Sequence, residues 1–135
     1  MAKAFAFIAN NTSQTITGGG VVNPGIAVHG FGCTCCGRTI QLSGTNINLR
    51  ETGYYSVDVG ATVSASAAGN VTLSMYQDGE LVAQGSETIA AENDLASISF
   101  PAGVKVNCSS VLTLVATSTA GDPIVTNVYT TVEKV

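Results

Sequence analysis

The sequence predicts an all-β domain, an antiparallel sandwich or barrel, and three observations lead to this class. Between residues 55 and 63 apolar and polar side chains alternate strictly, as in a strand with one buried face. Asp78-Gly79 has the composition of a type I′ turn, whose two central residues need positive φ, and it predicts a hairpin. No segment spaces apolar residues at i, i+3, i+4 and i+7 over three turns, so helices are not expected.

The amino-terminal third, residues 1–37, is expected to be irregular. Residues 4–9 can form a short first strand, and three glycines at 18–20 break the chain after it. An Asn-Pro-Gly turn at 23–25 separates two short extended pieces. Residues 30–37 are expected to form a glycine-rich loop that holds three of the four cysteines.

Clear strand patterns begin at residue 39 and continue to the end of the chain. Residues 39–42 and 47–49 alternate, and a turn at 51–53 leads into the strand of residues 55–63. The proline and glycine at 101–103 are expected to end a later strand. Further strands are predicted over residues 71–76, 80–85, 96–100, 104–106, 111–117 and 124–135. Ile124, Val128 and Val132 are expected to share the core face of the closing strand, and residues 1–135 form one domain.

Composition excludes several classes of protein. Only 10% of the residues are charged, against about 25% in ordinary soluble domains, and the net charge is −4. Five dispersed basic residues cannot make a nucleic-acid-binding patch. No apolar run approaches the roughly 18 residues of a membrane-spanning helix, and the first ten residues make no clear signal peptide. A surface with so few charges favours burial in an oligomer.

Several segments resemble the jelly rolls of the tumour-necrosis-factor-like and complement-globular-head-like superfamily. INLRETGYYSVDVGATVSA (residues 47–65) is similar to the central strand region of that superfamily, with Gly53, Tyr54 and Tyr55 at the start of the long strand. VTLSMYQDGELVAQGS (residues 71–86) resembles the hairpin that follows it. SSVLTLVATS and IVTNVYTTVEKV resemble the last two strands. The first 37 residues depart from the superfamily's pattern.

The resemblance implies a two-sheet antiparallel jelly-roll sandwich that trimerises through one sheet edge and face. Such domains serve as binding heads, caps or structural trimers and are not catalysts. The short, Thr- and Ala-rich segments are more similar to bacterial or bacteriophage members than to animal cytokines. On this basis we expect a virion or bacterial-surface location.

The four cysteines leave three alternatives open. Cys33 and Cys36 have the spacing of a structural zinc site, which Cys108 and His29 could complete. A disulfide between the loop and Cys108 is the second alternative. Reduced thiols that pack as small apolar side chains are the third, and the absence of a clear export signal favours it.

No catalytic site is predicted. His29 is the only histidine, and neither a nucleophile nor an orienting acid lies near it in sequence. The acidic residues are scattered. We therefore expect a non-enzymatic protein without a cofactor.

The predicted function is that of a structural or adhesive homotrimer subunit of a phage virion or bacterial surface, of the decoration, fibre-head or receptor-binding type. Asn127, Tyr129 and Thr131 alternate with the apolar residues of the last strand, and Tyr54 lies on the polar face of its strand. We predict that these four side chains lie at the subunit contact. Besides other copies of itself, a virion protein or a cell-surface glycan is the expected partner. A free-standing carbohydrate- or ligand-binding β-sandwich module is the alternative.

Overall fold

The computed structural model describes residues 4–31 and 39–135, which form two six-stranded antiparallel sheets. The first sheet has the order β10-β7-β12-β1-β4, with β2 also paired to β12. The second has the order β5-β6-β11-β8-β9, with β3 also paired to β11. The strands are β1 Phe5–Asn10, β2 Gln14–Thr15, β3 Gly20–Val22, β4 Ile26–Phe31, β5 Ile40–Ser43, β6 Asn46–Leu49, β7 Gly53–Ala65, β8 Gly69–Gln77, β9 Glu80–Ile89, β10 Ala96–Val106, β11 Ser110–Ser118 and β12 Pro123–Lys134.

The core lies between the two sheets, and period-2 alternation builds it. On β7 the odd-numbered residues from Tyr55 to Val63 are buried, and on β10 every second residue from Ile98 to Val106 is buried. Val71, Leu73 and Met75 of β8 face them from the second sheet, each with 0% exposure. The predicted β-sandwich is therefore confirmed, because each sheet buries one face against the other.

The Asp78-Gly79 hairpin is confirmed as well. Asp78 has φ 51° and Gly79 has φ 87°, so both central residues occupy the left-handed region that a type I′ turn needs. Asp78 also accepts a hydrogen bond from the main-chain nitrogen of Val111 at 2.9 Å, and its own nitrogen donates to Val111 O at 2.9 Å. These bonds tie the hairpin to β11.

In the described part of the amino-terminal third, the short strand predicted over residues 4–9 is confirmed as β1, and the turn at 23–25 lies between two extended strands as expected, but the segment as a whole is more regular than expected. Four strands, β1 to β4, lie between residues 5 and 31. β1 is an interior strand of the first sheet, paired with β12 on one side and β4 on the other. Residues 32–37 of the expected loop lie outside the described residues.

Two expectations about the later strands are also wrong. β10 does not end at Pro101 but continues to Val106, because β10 is an edge strand and only one of its sides must supply ladder hydrogen bonds. In β12 the register shifts between Val125 and Asn127 where the strand pairs with β7. This bulge changes the alternation, so Val125 rather than Ile124 shares the core face with Val128 and Val132.

One side of the sandwich is closed by contact between β9 and β10. A Cβ atom on Gly85 of β9 would lie 2.8 Å from Ile98 Cγ2 and 3.3 Å from Phe100 Cδ1, so the glycine allows β10 to approach closely. The opposite side is bordered by β4 of the first sheet and β5 of the second. None of the described residues form a helix with the length and hydrophobicity needed to cross a bilayer.

Candidate interaction surface

The predicted contact residues of the last strand lie together on the outer face of the first sheet, the face turned away from the core. β12 is the middle strand of this sheet, between β7 and β1. Asn127 and Thr131 are half-buried and Tyr129 is 43% exposed, and all three lie on the side opposite Val128 and Val132. Since the neighbouring strands support them on both sides, their positions are fixed by the sheet.

The ring of Tyr129 lies directly over Gly60 of β7. These two residues pair across the strands, and a Cβ atom at position 60 would overlap Tyr129 Cζ, Cε1 and the hydroxyl oxygen. On its other side the ring lies 6.3 Å, centroid to centroid, from Phe7 of β1, with the planes inclined by 39°. This distance and tilt suit an aromatic pair. Tyr129 is therefore held flat on the sheet.

Around Tyr129 the outer face is flat and nearly neutral. On β10, Ser99 pairs with Gly60, so the outward residues nearest to Tyr129 are Ser99 and its neighbours Ser97 and Pro101, all of them exposed. Further along β10, Gly103 has no atom within 4 Å of a Cβ built on it, so the face is open there as well. Over the outward positions of β1, β7, β10 and β12, only Asp58, Lys105 and Glu133 are charged, and of these Asp58 pairs with Thr131 beside Tyr129.

Tyr54 lies on the same face but apart from Tyr129. Gly60 is the sixth residue after Tyr54 along β7, a distance of about 20 Å along a strand. The Tyr54 ring is 60% exposed, and the Lys105 ammonium lies 5.9 Å from its centroid. A shallow groove of about 580 Å³ runs beside it, bordered by Pro101, Gly103 and Val135. The structure thus divides the four predicted contact residues into a group of three and a separate tyrosine.

The end of the chain is fastened next to Tyr54. Lys134 Nζ donates to Glu51 Oε2 at 2.9 Å, and the nitrogen of Val135 donates to Tyr54 O at 2.8 Å. The Lys134 hydrogen bond holds the pKa of Glu51 below its ordinary value, and the same bond raises the pKa of Lys134. Tyr55 donates to Glu51 O at 2.9 Å, and burial raises the pKa of its phenol. Glu51, Tyr55 and Lys134, whose pKa values are shifted, therefore hold the last strand against the turn before β7, and we call these three residues the clasp.

The candidate zinc ligands are not brought together among the described residues. The main chain of His29 lies on β4, at one edge of the first sheet, whereas Cys108 is exposed just beyond β10, at the other edge. Cys33 and Cys36 lie outside the described residues. Within residues 4–31 and 39–135, no group of three or more His, Cys, Asp or Glu side chains is placed to hold a metal ion. The three alternatives for the cysteines stay predictions.

Comparison with solved structures decides the fold. Eiger TNF from S. frugiperda matches with a TM-score of 0.71 at 14% identity, covering 98% of this chain and 91% of that chain. Murine APRIL at pH 5.0 matches with a TM-score of 0.75 at 9% identity, over 99% of this chain and 100% of that one. The globular domain of zebrafish complement 1qA protein matches with a TM-score of 0.68 at 11% identity, covering 96% of this chain and 95% of that chain. The protein has a TNF-like jelly-roll fold. No protein-family model and no curated protein sequence matches it.

The TNF-like jelly roll confirms the fold that the sequence resemblance implied. Sequence reasoning missed two residues of the surface, Gly60 and Phe7, which hold Tyr129 in place. A glycine inside the long alternating strand was the available signal, because such a glycine marks a place where another group approaches the backbone. The identity of that group depends on the neighbouring strand.

Proposed function

We propose that this chain is a non-enzymatic structural or adhesive subunit of a homotrimer, with the outer face of the first sheet as its subunit contact. The observation that carries the proposal is the aromatic and nearly neutral centre of that face, where Tyr129 lies over Gly60 beside Phe7. Domains with this fold are often trimeric, non-enzymatic binding modules. Subunit burial of this face also accounts for the low charged fraction of the chain, 10% of its residues.

The proposal extends to a role in a bacteriophage virion or on a bacterial surface, as a decoration, fibre-head or receptor-binding component. The support is the composition: a surface rich in Ser and Thr and poor in charge suits a subunit packed against its neighbours. Immunogold labelling with an antibody against the chain tests this role directly. Labelled particles or cell surfaces are expected, and label confined to the cell interior would contradict the role.

The trimer is tested by sedimentation of wild type, Tyr129→Glu and Val21→Glu. A three-fold axis brings three copies of one residue together, so each carboxylate at position 129 meets two others at a cost of about 1 kcal/mol or more per encounter. Val21 is 47% exposed and lies on β3 of the second sheet, away from the proposed contact. We expect trimers for wild type and Val21→Glu, and 13.6 kDa monomers for Tyr129→Glu. A monomeric wild type at micromolar concentration would refute the trimer.

A free-standing glycan-binding module is the second candidate, and the groove beside Tyr54 favours it. A tyrosine that is 60% exposed offers an apolar ring face and a hydroxyl to a sugar, and Lys105 adds a charged donor beside it. Glycan-array binding by a monomeric wild type, lost in Tyr54→Ala but kept in Tyr129→Ala, would favour this function over the trimer. A trimer that binds no glycan would exclude it.

A further inference from the structure

A shallow pocket of about 340 Å³ lies at the end of the first sheet where β1 stops and β4 begins. Its wall consists of three amide side chains, one threonine, one glycine and one isoleucine: Asn10, Gln14, Asn23, Thr12, Gly25 and Ile26. We call it the amide pocket, and none of its lining residues is charged. Phe31, the last described residue of β4, is five residues and about 15 Å further along the strand than Ile26. The pocket is therefore built from described residues at the other end of β4.

Main-chain N–H groups fix the orientation of the three amides. Asn10 Oδ1 accepts from Thr12 N at 2.9 Å. Gln14 Oε1 accepts from Asn23 N at 2.9 Å, and Asn23 Oδ1 accepts from Gly25 N at 3.0 Å. Since a main-chain nitrogen only donates, the oxygen of each amide must face it. These bonds therefore also determine where the NH₂ group of each amide lies.

The NH₂ groups retain hydrogen-bond donors that the fold does not use. Asn10 Nδ2 and Gln14 Nε2 each donate to the carbonyl oxygen of Asn23, at 3.0 and 2.9 Å, so each has one further N–H. Asn23 Nδ2 donates to no other described residue, so both of its N–H groups are available. The pocket thus offers amide donors from three side chains, whereas each amide oxygen already accepts a bond. Because the amides are held in place beforehand, binding a ligand costs little side-chain entropy.

One wall of the amide pocket is apolar. Ile26 at the start of β4 is 72% exposed. Gly25 before it has φ +97°, and a Cβ atom there would overlap the Ala9 carbonyl, so only glycine permits this approach of β4 to β1. The approach places Ile26 beside the amides. A small apolar group can consequently pack on Ile26 while an oxygen next to it accepts from the amides.

We propose that the amide pocket binds the acetamido group of a neutral N-acetylated sugar. The carbonyl oxygen of this group accepts hydrogen bonds and its methyl group is small and apolar, so it matches the amide donors and Ile26. An anionic sugar fits less well, because no basic residue lines the pocket and the chain carries a net charge of −4. A sugar without an acetamido group has hydroxyls for the amides but no methyl group for Ile26.

The amide pocket is independent of the proposed subunit contact. Asn10 pairs with Val128 of β12, whose side chain faces the core. Gln14 pairs with Val125, which faces the core as well. Because paired residues share a face, the two amides lie on the side of the first sheet opposite Tyr129, and a trimer leaves the pocket open. Binding by a monomeric wild type would refute the trimer alone, and a trimer that does not bind the sugar would refute the pocket alone.

The test uses triacetylchitotriose, three linked N-acetylglucosamine units, and compares it with cellotriose, which has the same linkage and no acetamido group. Calorimetry gives the dissociation constants, and NMR spectra of ¹⁵N-labelled protein report the side-chain NH₂ signals. We expect triacetylchitotriose to shift the NH₂ signals of Asn10, Gln14 and Asn23. The dissociation constant for cellotriose is expected to be about tenfold higher or more.

Asn23→Asp is the decisive variant. It keeps an oxygen for Gly25 N but removes both N–H donors, and affinity for triacetylchitotriose should fall about tenfold or more. Asn70→Asp on β8 is the matched control, because Asn70 is also exposed, its Oδ1 accepts from Thr88 Oγ1 at 2.9 Å, and the added charge is the same. It should bind like wild type. Ile26→Ala changes an exposed position, should weaken binding about threefold, and decides the matter if Asn23→Asp does not fold.

Three results would overturn the amide pocket as a sugar site. These are no binding of triacetylchitotriose at millimolar concentration, equal affinity for cellotriose, and an equal effect of the two aspartate substitutions. Binding that is lost in Tyr54→Ala and kept in Asn23→Asp would place the sugar in the groove beside Tyr54 instead.

Discussion

Gly60→Ala is the most direct probe of how the outer face is built. Alanine is normally better than glycine inside a strand by about 0.5–1 kcal/mol. At position 60, however, the new methyl group occupies the place of the Tyr129 ring, which must move away. Tyr129 is 43% exposed, so about 100 Å² of its surface is covered in the subunit, which stabilises the fold by about 2.5 kcal/mol. If the displaced ring loses half or more of that contact, Gly60→Ala destabilises by about 0.5–1.5 kcal/mol net.

The assay is urea unfolding at one low protein concentration, arranged as a double-mutant cycle with Tyr129→Ala. In the Tyr129→Ala background the site above residue 60 is empty, and Gly60→Ala is expected to be neutral or stabilising. Gly103→Ala on the same face is the matched control, because no atom lies near its Cβ position, and it should stabilise slightly. A Gly60→Ala protein as stable as wild type, or an equal effect in both backgrounds, would refute the reasoning.

Three further predictions concern stability. Val57 is 0% exposed, so Val57→Asp should lower the free energy of unfolding in urea by at least about 3 kcal/mol. Ser56→Asp, at the neighbouring exposed position, should lower it by less than about 1 kcal/mol. Equal losses would mean that both faces of β7 are covered. Thr130 is 0% exposed, and its hydroxyl has no hydrogen-bond partner among the described residues. Thr130→Val should therefore stabilise the fold by about 1 kcal/mol and raise the melting temperature. A lower melting temperature would show that the hydroxyl has a hydrogen-bond partner. Because the pKa of Glu51 is lowered in the fold, its contribution to stability is present above the ordinary carboxyl pKa and is lost as pH falls through the folded value. Because the pKa of Lys134 is raised, its contribution is present below the ordinary lysine pKa and is lost as pH rises through the folded value. Glu51→Gln should flatten both limbs of the stability–pH curve, and an unchanged curve would show that the clasp does not contribute.

Local patterns predicted the strands wherever alternation was long. The run from Tyr55 to Val63 and the Asp78-Gly79 turn were interpreted correctly, because each depends on a few adjacent residues. The strand end expected at Pro101 was wrong, since the effect of a proline depends on whether its strand is an edge or an interior strand, and β10 is an edge strand. The bulge at Val125 was equally invisible, because it appears only when β12 is set against β7.

In the candidate surface, too, local patterns predicted some features and the tertiary structure decided the others. Alternation alone placed Asn127, Tyr129 and Thr131 on one face of the last strand, and the structure agrees. The order of strands in the sheet decides that Tyr129 contacts Gly60. It also decides that Tyr54 lies about 20 Å from Gly60 along the neighbouring strand, β7.

The sequence by itself determined the class of fold, the main strands, the hairpin turn and the polar or apolar face of most strand residues. These follow from period-2 side-chain geometry and from the φ angles that turn residues accept, both of which are local properties of the chain. Only the tertiary structure decided which strands are neighbours, that three amides line one pocket, and that this pocket and Tyr129 lie on opposite sides of the same sheet. Those features depend on pairing between residues far apart in sequence, such as Gly60 with Tyr129 and Ala9 with Ile26, and no local pattern specifies such partners.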